Sequence, residues 1–326
     1  MLKKVIISRT DSLGDVILTL PLTGYLKKVF PDISISFVGQ AYSQSVINSC
    51  QYVDTFYDKK KLLNGEQKLE GDVIIFAFPD KELCKLAKKS KIPVRVGTSH
   101  RIFHWGTCNK LVNFSRKKSE LHESQLNFKL LKPLGVEEAP SLSEMPELVG
   151  MRAMAELPEV QKERLDTGKF NLILHPKSKG SAREWPLSHY EKLVEILPSE
   201  KFHFFVSGTQ AEGDLIKNEG TSLFDFPNVT DVSGQFSLEE FISFIAQADG
   251  LVACSTGPLH IAAMLGKNAL GFYPSMRPMH PGRWKALGAK VGIMEVDDVL
   301  GKGSGSEAVE EISPQMAADY ILSHFS

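Results

Sequence analysis

A chain of 326 residues with 42% hydrophobic side chains is long enough to bury two domain cores of ordinary size. It contains no apolar run near the roughly 20 residues of a membrane-spanning helix. Its four cysteines, Cys50, Cys84, Cys108 and Cys254, include no C-x-x-C pair, which argues against a disulfide framework or a zinc knuckle. The formal charge of −1 conceals a split, with 22 basic against 14 acidic residues over 1–140 and 16 against 25 over 141–326.

The first element, Val5-Ile6-Ile7, fits a buried strand. Arg9 and Asp11 interrupt the apolar run too soon for a signal peptide, so a cytoplasmic protein is expected. The turn that follows contains Ser12, Gly14 and Asp15 and leads into the apolar positions Leu13, Val16, Ile17 and Leu20, a helix face. This strand–loop–helix opening belongs to an α/β domain, and ligand chemistry in open parallel sheets gathers at the carboxyl end of the first strand. Gly14 permits a tight turn or a close approach to a ligand. Asp15 either meets such a ligand or complements the dipole of the helix.

Further strands are expected over 33–38, 73–78 and 91–96, and helices over 16–30, 41–49, 81–89 and 119–134, with Pro21 kinking the first helix. Between Lys81 and Lys118 there are eleven basic residues and one acidic, Glu82. Lys85, Lys88 and Lys89 fit a solvated helix face, whereas Arg95, Arg101, Lys110, Arg116, Lys117 and Lys118 lie in looser sequence able to attract an anionic partner. Phe103, Trp105 and Phe114 form no base-stacking pattern, so nucleic acid is not expected. His100, His104 and Cys108 have i, i+4, i+8 spacing, but Gly106 and Thr107 weaken a helix there and no carboxylate supports a site; no metal is expected.

Proline and glycine over 135–168 suggest a connection, with at most a short helix at 151–157, dividing the chain into domains 1–150 and 151–326. The second half repeats the grammar of the first. A strand at 170–174 leads into H-P-K-S-K-G-S-A-R-E-W-P, where Ser178, Lys179 and Arg183 suit phosphate oxygens, although a solvated basic loop has the same composition. Neither G-x-x-x-x-G-K-[ST] nor G-x-G-x-x-G is present, which disfavours a P-loop enzyme and a nicotinamide dehydrogenase. Strands at 202–207 and near Val229 and a helix at 238–248 follow. A strand at 250–253 then runs into S-T-G-P-L-H, where Ser255 or Thr256 caps a helix with Pro258 in its first turn. Hydroxyls and unpaired amides at such a terminus suit an anion. His260 there serves as a neutral donor or is simply packed. Residues 301–306 read as a flexible tether and 314–325 as a final helix.

In order and spacing, S12-L-G-D15, the H175-P loop leading to W185-P, G208-T-Q-A-E212, S233-G-Q and S255-T-G-P-L-H260 resemble glycosyltransferase family 9, the ADP-heptose:lipopolysaccharide heptosyltransferases. The resemblance implies a GT-B architecture of two Rossmann-like domains with parallel sheets facing across a cleft. The N-terminal domain would take the acceptor and the C-terminal domain the nucleotide sugar, with the last helix able to return to the first domain. Asp15 matches the family's catalytic base. Ser178, Lys179, Arg183, Ser255, Thr256, Gly257 and His260 would hold the donor's nucleotide and phosphates, and Glu212 the nucleoside hydroxyls. Ser12, Gly14, Arg95 and Arg101 fall on the acceptor side.

The implied reaction is inverting and metal-independent, with an ADP-sugar as co-substrate and no other cofactor. The implied acceptor is an anionic glycolipid or glycan, which the basic segment would hold near a membrane surface. The chain departs from the family at Ser255, where lipopolysaccharide-core members commonly have Asp, and at Arg183, where they commonly have Lys. Arg277, His280 and Arg283 lie in a loop unlike the family's usual one and either reach the cleft or, the favoured reading, decorate a proline-fixed loop. The alternatives are a non-hydrolysing nucleotide-sugar epimerase and a catalytically inactive nucleotide-binding GT-B protein.

Overall fold

The computed structural model describes residues 2–116 and 119–325. In β1 (Lys4–Ser8) every residue after Lys4 is buried, as a central parallel strand covered on both faces requires. It is joined by β2 (Ser34–Gly39), β3 (Thr55–Asp58), β4 (Val73–Phe76), β5 (Val94–Thr98) and β6 (Lys110–Val112) in an all-parallel sheet of order β3-β2-β1-β4-β5-β6.

The second sheet contains β7 (Phe170–His175), β8 (Phe202–Val206), β9 (Val229–Asp231), β10 (Gly250–Cys254), β11 (Asn268–Tyr273) and β12 (Val291–Glu295). Its order, β9-β8-β7-β10-β11-β12, repeats that of the first sheet. The chain divides into two compact units, Met1–Arg152 and Ala153–Ser326, one sheet in each. The architecture is α/β, the GT-B pairing of two Rossmann-like sheets. In each sheet the strand order reverses beside the first strand, between β1 and β4 and between β7 and β10, where loops diverge and leave room for a ligand.

Several elements differ from expectation for local reasons. The helix expected over 16–30 is two helices, Leu13–Ile17 and Pro21–Val29. Pro21 has no N–H to donate and begins the second helix instead of kinking one long one. Carbonyls left at the break are satisfied by side chains: Thr19 Oγ1 donates to the Asp15 carbonyl (2.8 Å) and Asn127 Nδ2 to that of Leu18 (3.3 Å).

The supposed connection over 135–168 is largely structured. Met145 and Val149 are fully buried, and Met151 forms an antiparallel bridge with Cys50 in place of the helix expected at 151–157. Residues 301–306 are not a free tether, because Asp297 accepts from Gly303 N (2.7 Å) and Ser304 N (3.2 Å). The helix Pro314–His324 buries Ala317, Ala318 and Ile321 in the core of the second unit, beside the helix Leu187–Ile196.

Candidate active site

The loop after β1 is organised by Arg9, which is buried and which sequence reasoning did not single out. Its guanidinium pairs with Asp11 (Nε–Oδ1, 2.7 Å), with Asp15, and with Glu123 (Nη1–Oε1, 3.0 Å). Ser12 does not cap the helix Leu13–Ile17; its hydroxyl donates to the other oxygen of Asp15. Glu123, fully buried in the first turn of the helix Glu123–Phe128, also receives Arg116 Nε at 3.0 Å. Arg116 Nη2 donates further to Asn127 Oδ1 (2.8 Å) and to the Ala77 carbonyl beyond β4 (3.1 Å). The network thus joins the loops on both sides of the strand-order reversal.

Two guanidinium groups therefore face three carboxylates, Asp11, Asp15 and Glu123. Burial lowers the pKa of Arg9, but Asp15, Asp11 and Glu123 together more than reverse this, so Arg9 is held firmly charged. Burial also pushes the Asp11 carboxyl up, with Arg9 opposing and Asp15 adding to the rise. Among the described residues the group carries one more negative than positive charge. Chemically, this is a positioned carboxylate able to accept a proton without leaving a buried cation unbalanced.

The basic segment is used differently from expectation. Arg95 donates from Nε to the Thr107 carbonyl (2.7 Å) and from Nη1 to that of Ile92, stitching β5 to the segment before β6. Arg116 belongs to the buried network and also lies over the Phe114 ring. Neither is a loose surface cation. Arg101 is exposed at the start of the helix Ile102–Thr107, Lys110 is exposed in β6, and Lys117 and Lys118 lie outside the described residues.

In the second unit the candidate residues lie beyond the carboxyl ends of β7, β8 and β10. His175, at the end of β7, is buried with Nδ1 3.0 Å from Ser207 Oγ. Burial pushes its pKa down to about 4, with Glu212 opposing and Lys179 adding, so the imidazole is neutral. In the following loop Ser178 faces inward, its N and Oγ donating to Glu184 Oε1 at 2.7 and 2.9 Å. Ser178 therefore shapes the loop, and Lys179 and Gly180 turn through positive φ with their side-chain positions exposed. Arg183 pairs with Glu307 and Lys177 with Glu184 and Glu219, leaving Lys179 as the cation of this loop without an ion pair among the described residues.

Glu212 is buried, and its Oε2 accepts from Thr209 N (2.7 Å) and Thr209 Oγ1 (2.8 Å) in a capping box at the helix Gln210–Asn218. One oxygen of the carboxylate expected to meet nucleoside hydroxyls is thus committed to the helix. Beside it Ser233 Oγ is buried without a partner. A side chain at Gly213 would come within 2.5 Å of Ser233 Cβ, so glycine is what admits this approach.

After β10, Thr256 is the N-cap of the helix Gly257–Met264, yet it makes no side-chain cap and its Oγ1 is buried without a partner. His260 is buried in the first turn, and Ser255 is bonded to the Tyr273 hydroxyl. A buried hydroxyl without a partner costs about 1–3 kcal/mol, and one at a helix N-terminus suits a site for an oxygen-rich anion. The expected decoration at 275–284 includes Arg283 over the Trp284 ring.

Two doubly wound sheets of the same strand order, with an ion-paired carboxylate at the end of β1 and a buried unpartnered hydroxyl beyond β10, fit a glycosyltransferase of the GT-B class. A family model, glycosyltransferase family 9 (heptosyltransferase), matches residues 86–302, and the chain belongs to that family. A Haemophilus influenzae relative, provisionally named a glycosyltransferase, is 27% identical over 303 residues, 88% of this chain and 86% of its own. Lipooligosaccharide heptosyltransferase 2 of Haemophilus ducreyi is 30% identical over 90 residues, 27% of this chain and 26% of its own. The solved glycosyl transferase family 9 protein of Veillonella parvula superposes with a TM-score of 0.78 at 18% identity, covering 99% of this chain and 97% of that one. Escherichia coli heptosyltransferase WaaC with ADP superposes with a TM-score of 0.75 at 16% identity, covering 98% and 99%. Among the described residues, no helix is long and apolar enough to cross a membrane.

Proposed function

We propose that this family 9 glycosyltransferase moves a heptose from ADP-heptose, with inversion, to a hydroxyl of an anionic glycolipid or glycan. The observation that carries the reading is Asp15, fixed at the end of β1 by Arg9 and Ser12 within a network one negative charge in excess. The acceptor hydroxyl displaces Ser12 as the donor to Asp15 and attacks the anomeric carbon. As the new C–O bond forms, the anomeric carbon–phosphate oxygen bond breaks, the hydroxyl proton passes to Asp15, and ADP leaves. Arg9, still balanced by Asp11 and Glu123, holds the carboxyl in place.

The leaving diphosphate gains negative charge, which preorganised donors stabilise without a metal ion in the reaction. Lys179, the Thr256 hydroxyl and the amides opening the helix Gly257–Met264 are suited to that role, with His260 in the same turn and Arg183 exchanging Glu307 for phosphate. Glu212 keeps one oxygen for the nucleoside. The donor assignment is supported by solved Escherichia coli WaaC with ADP and with ADP-2-deoxy-2-fluoro heptose. The acceptor assignment is supported by the lipooligosaccharide heptosyltransferases among the relatives. Exposed Arg101 and Lys110 supply salt-sensitive attraction to an anionic acceptor or membrane surface.

The test is a thermal-shift panel with ADP, UDP and GDP, followed by transfer from ADP-heptose to a lipooligosaccharide-core acceptor. Selective stabilisation by ADP and acceptor-dependent release of ADP are expected. Selective UDP or GDP stabilisation overturns the donor. Sugar isomerisation without acceptor would indicate an epimerase, and nucleotide binding with no turnover of any donor an inactive protein.

A further inference from the structure

Away from the residues assigned to transfer, the first unit buries a second group of chemically distinctive side chains. Cys84 lies on the helix Lys81–Lys89, His104 on the helix Ile102–Thr107, and Cys108 is the residue that ends the latter. All three are buried, and one ligand atom from each falls within 4.8 Å of the others. His104 and Cys108 have the i, i+4 spacing seen in the sequence, but the third member is Cys84, twenty residues earlier, and not the exposed His100.

The surroundings fit a soft cation. His104 Nδ1 lies 2.8 Å from the Thr98 carbonyl, which fixes that nitrogen as the donor and leaves Nε2 with its lone pair. Nε2 is buried without a partner. Cys84 and Cys108 are in hydrogen-bond contact with each other. Gly97 on β5 makes the convergence possible, since an added Cβ would lie 2.7 Å from His104 Nδ1 and 2.8 Å from Cys108 Sγ.

We propose that Cys84, His104 and Cys108 bind one zinc ion, tying the helix Lys81–Lys89 to the helix Ile102–Thr107, with water as the fourth ligand. Bond lengths of about 2.3 Å to sulphur and 2.0–2.1 Å to nitrogen place tetrahedral ligand atoms roughly 3.5–3.8 Å apart, so the cluster closes by about 1 Å on binding. Two thiolates balance the dication, leaving no net charge in a core that also contains Ile6, Ile74 and Phe76. Thiolate and imidazole donors together favour zinc over the oxygen-seeking magnesium and calcium ions.

The test uses the full chain, reduced and stripped of metal by a chelator, and titrated with Co2+ alone and then Zn2+. One equivalent of Co2+ should give a thiolate-to-cobalt charge-transfer band with intense tetrahedral bands, bleached by one equivalent of Zn2+. The spectrum should survive in Cys50→Ser/Cys254→Ser and disappear in Cys84→Ser, His104→Ala and Cys108→Ser. Absence of the charge-transfer band in the wild-type chain overturns the proposal without recourse to any variant. So does its persistence when both Cys84 and Cys108 are serine.

Discussion

The two units share one strand order and place their candidate residues at the same topological position, yet they equip it in opposite ways. Around β1 the charged groups meet one another inside the protein: Arg9, Asp11, Asp15, Glu123 and Arg116 form one network of ion pairs. At the ends of β7 and β10, by contrast, His175 is neutral and the Thr256 hydroxyl is buried without a partner. On the proposed reading, the ion-paired network positions a group that changes protonation during the reaction, whereas the leftover donor awaits an external anion. The difference between the units is therefore one of chemical task on a common topology.

The largest effect that would expose this contrast is expected at Asp15. Asp15→Asn keeps the shape and removes the proton acceptor, so transfer should fall about 10²–10⁴-fold while stabilisation by ADP stays unchanged. If kinetics and ADP thermal shifts fell together, Asp15 would have a structural role instead.

Next comes the network itself. Arg9→Met takes the guanidinium from Asp15, Asp11 and Glu123, which should cost about 3–5 kcal/mol in urea unfolding and abolish transfer. A loss under 1 kcal/mol would mean that solvent already screens the pairs.

In the second unit the sensitive variable is pH. An unfolded imidazole takes its proton near 6.5, but native His175 resists until about 4, so the unfolded state binds the extra proton between those values. This contribution is fully present above pH 6.5 and is lost as pH falls to 4, amounting to about 3 kcal/mol. Urea midpoints measured over that window should drop in the wild-type chain and flatten in His175→Gln; equal slopes in the two proteins would refute the assignment. The smallest effect separates binding from folding at Thr256. Thr256→Val removes a hydroxyl that caps nothing, so stability should hold or rise while ADP affinity falls by about 0.5–1.5 kcal/mol. Calorimetry and unfolding on the same sample would catch the two moving together, which would undo the reading.

The sequence made the central strands legible because β1, β4, β7 and β10 are continuous apolar runs bounded by turns. The edge strands β3 and β6 are short and partly exposed, and carry no such signal. β11 is fully buried but was missed, since Asn268 and Gly271 interrupt its apolar character. Asp15 and the Ser255–His260 turn were legible for a local reason: each is a contiguous loop entering a helix. The partner that fixes Asp15 was less so, because Arg9 meets Glu123 across more than a hundred residues. Likewise Arg95 and Arg116 read as surface cations until the fold shows what accepts their hydrogen bonds. Cys84 joins His104 and Cys108 only through helix packing that no spacing rule contains.

The loop between His175 and Pro186 is anchored at both ends. Ser178 and Glu184 close it on itself, and Trp185 fastens it with its backbone N–H to Cys254 Sγ (3.2 Å) and its indole N–H to the Ile312 carbonyl (2.8 Å). Its conformational entropy is thus surrendered during folding, before any nucleotide arrives. If the proposed donor binds at Lys179, it meets a loop already ordered, and its affinity is not reduced by the cost of ordering a floppy segment.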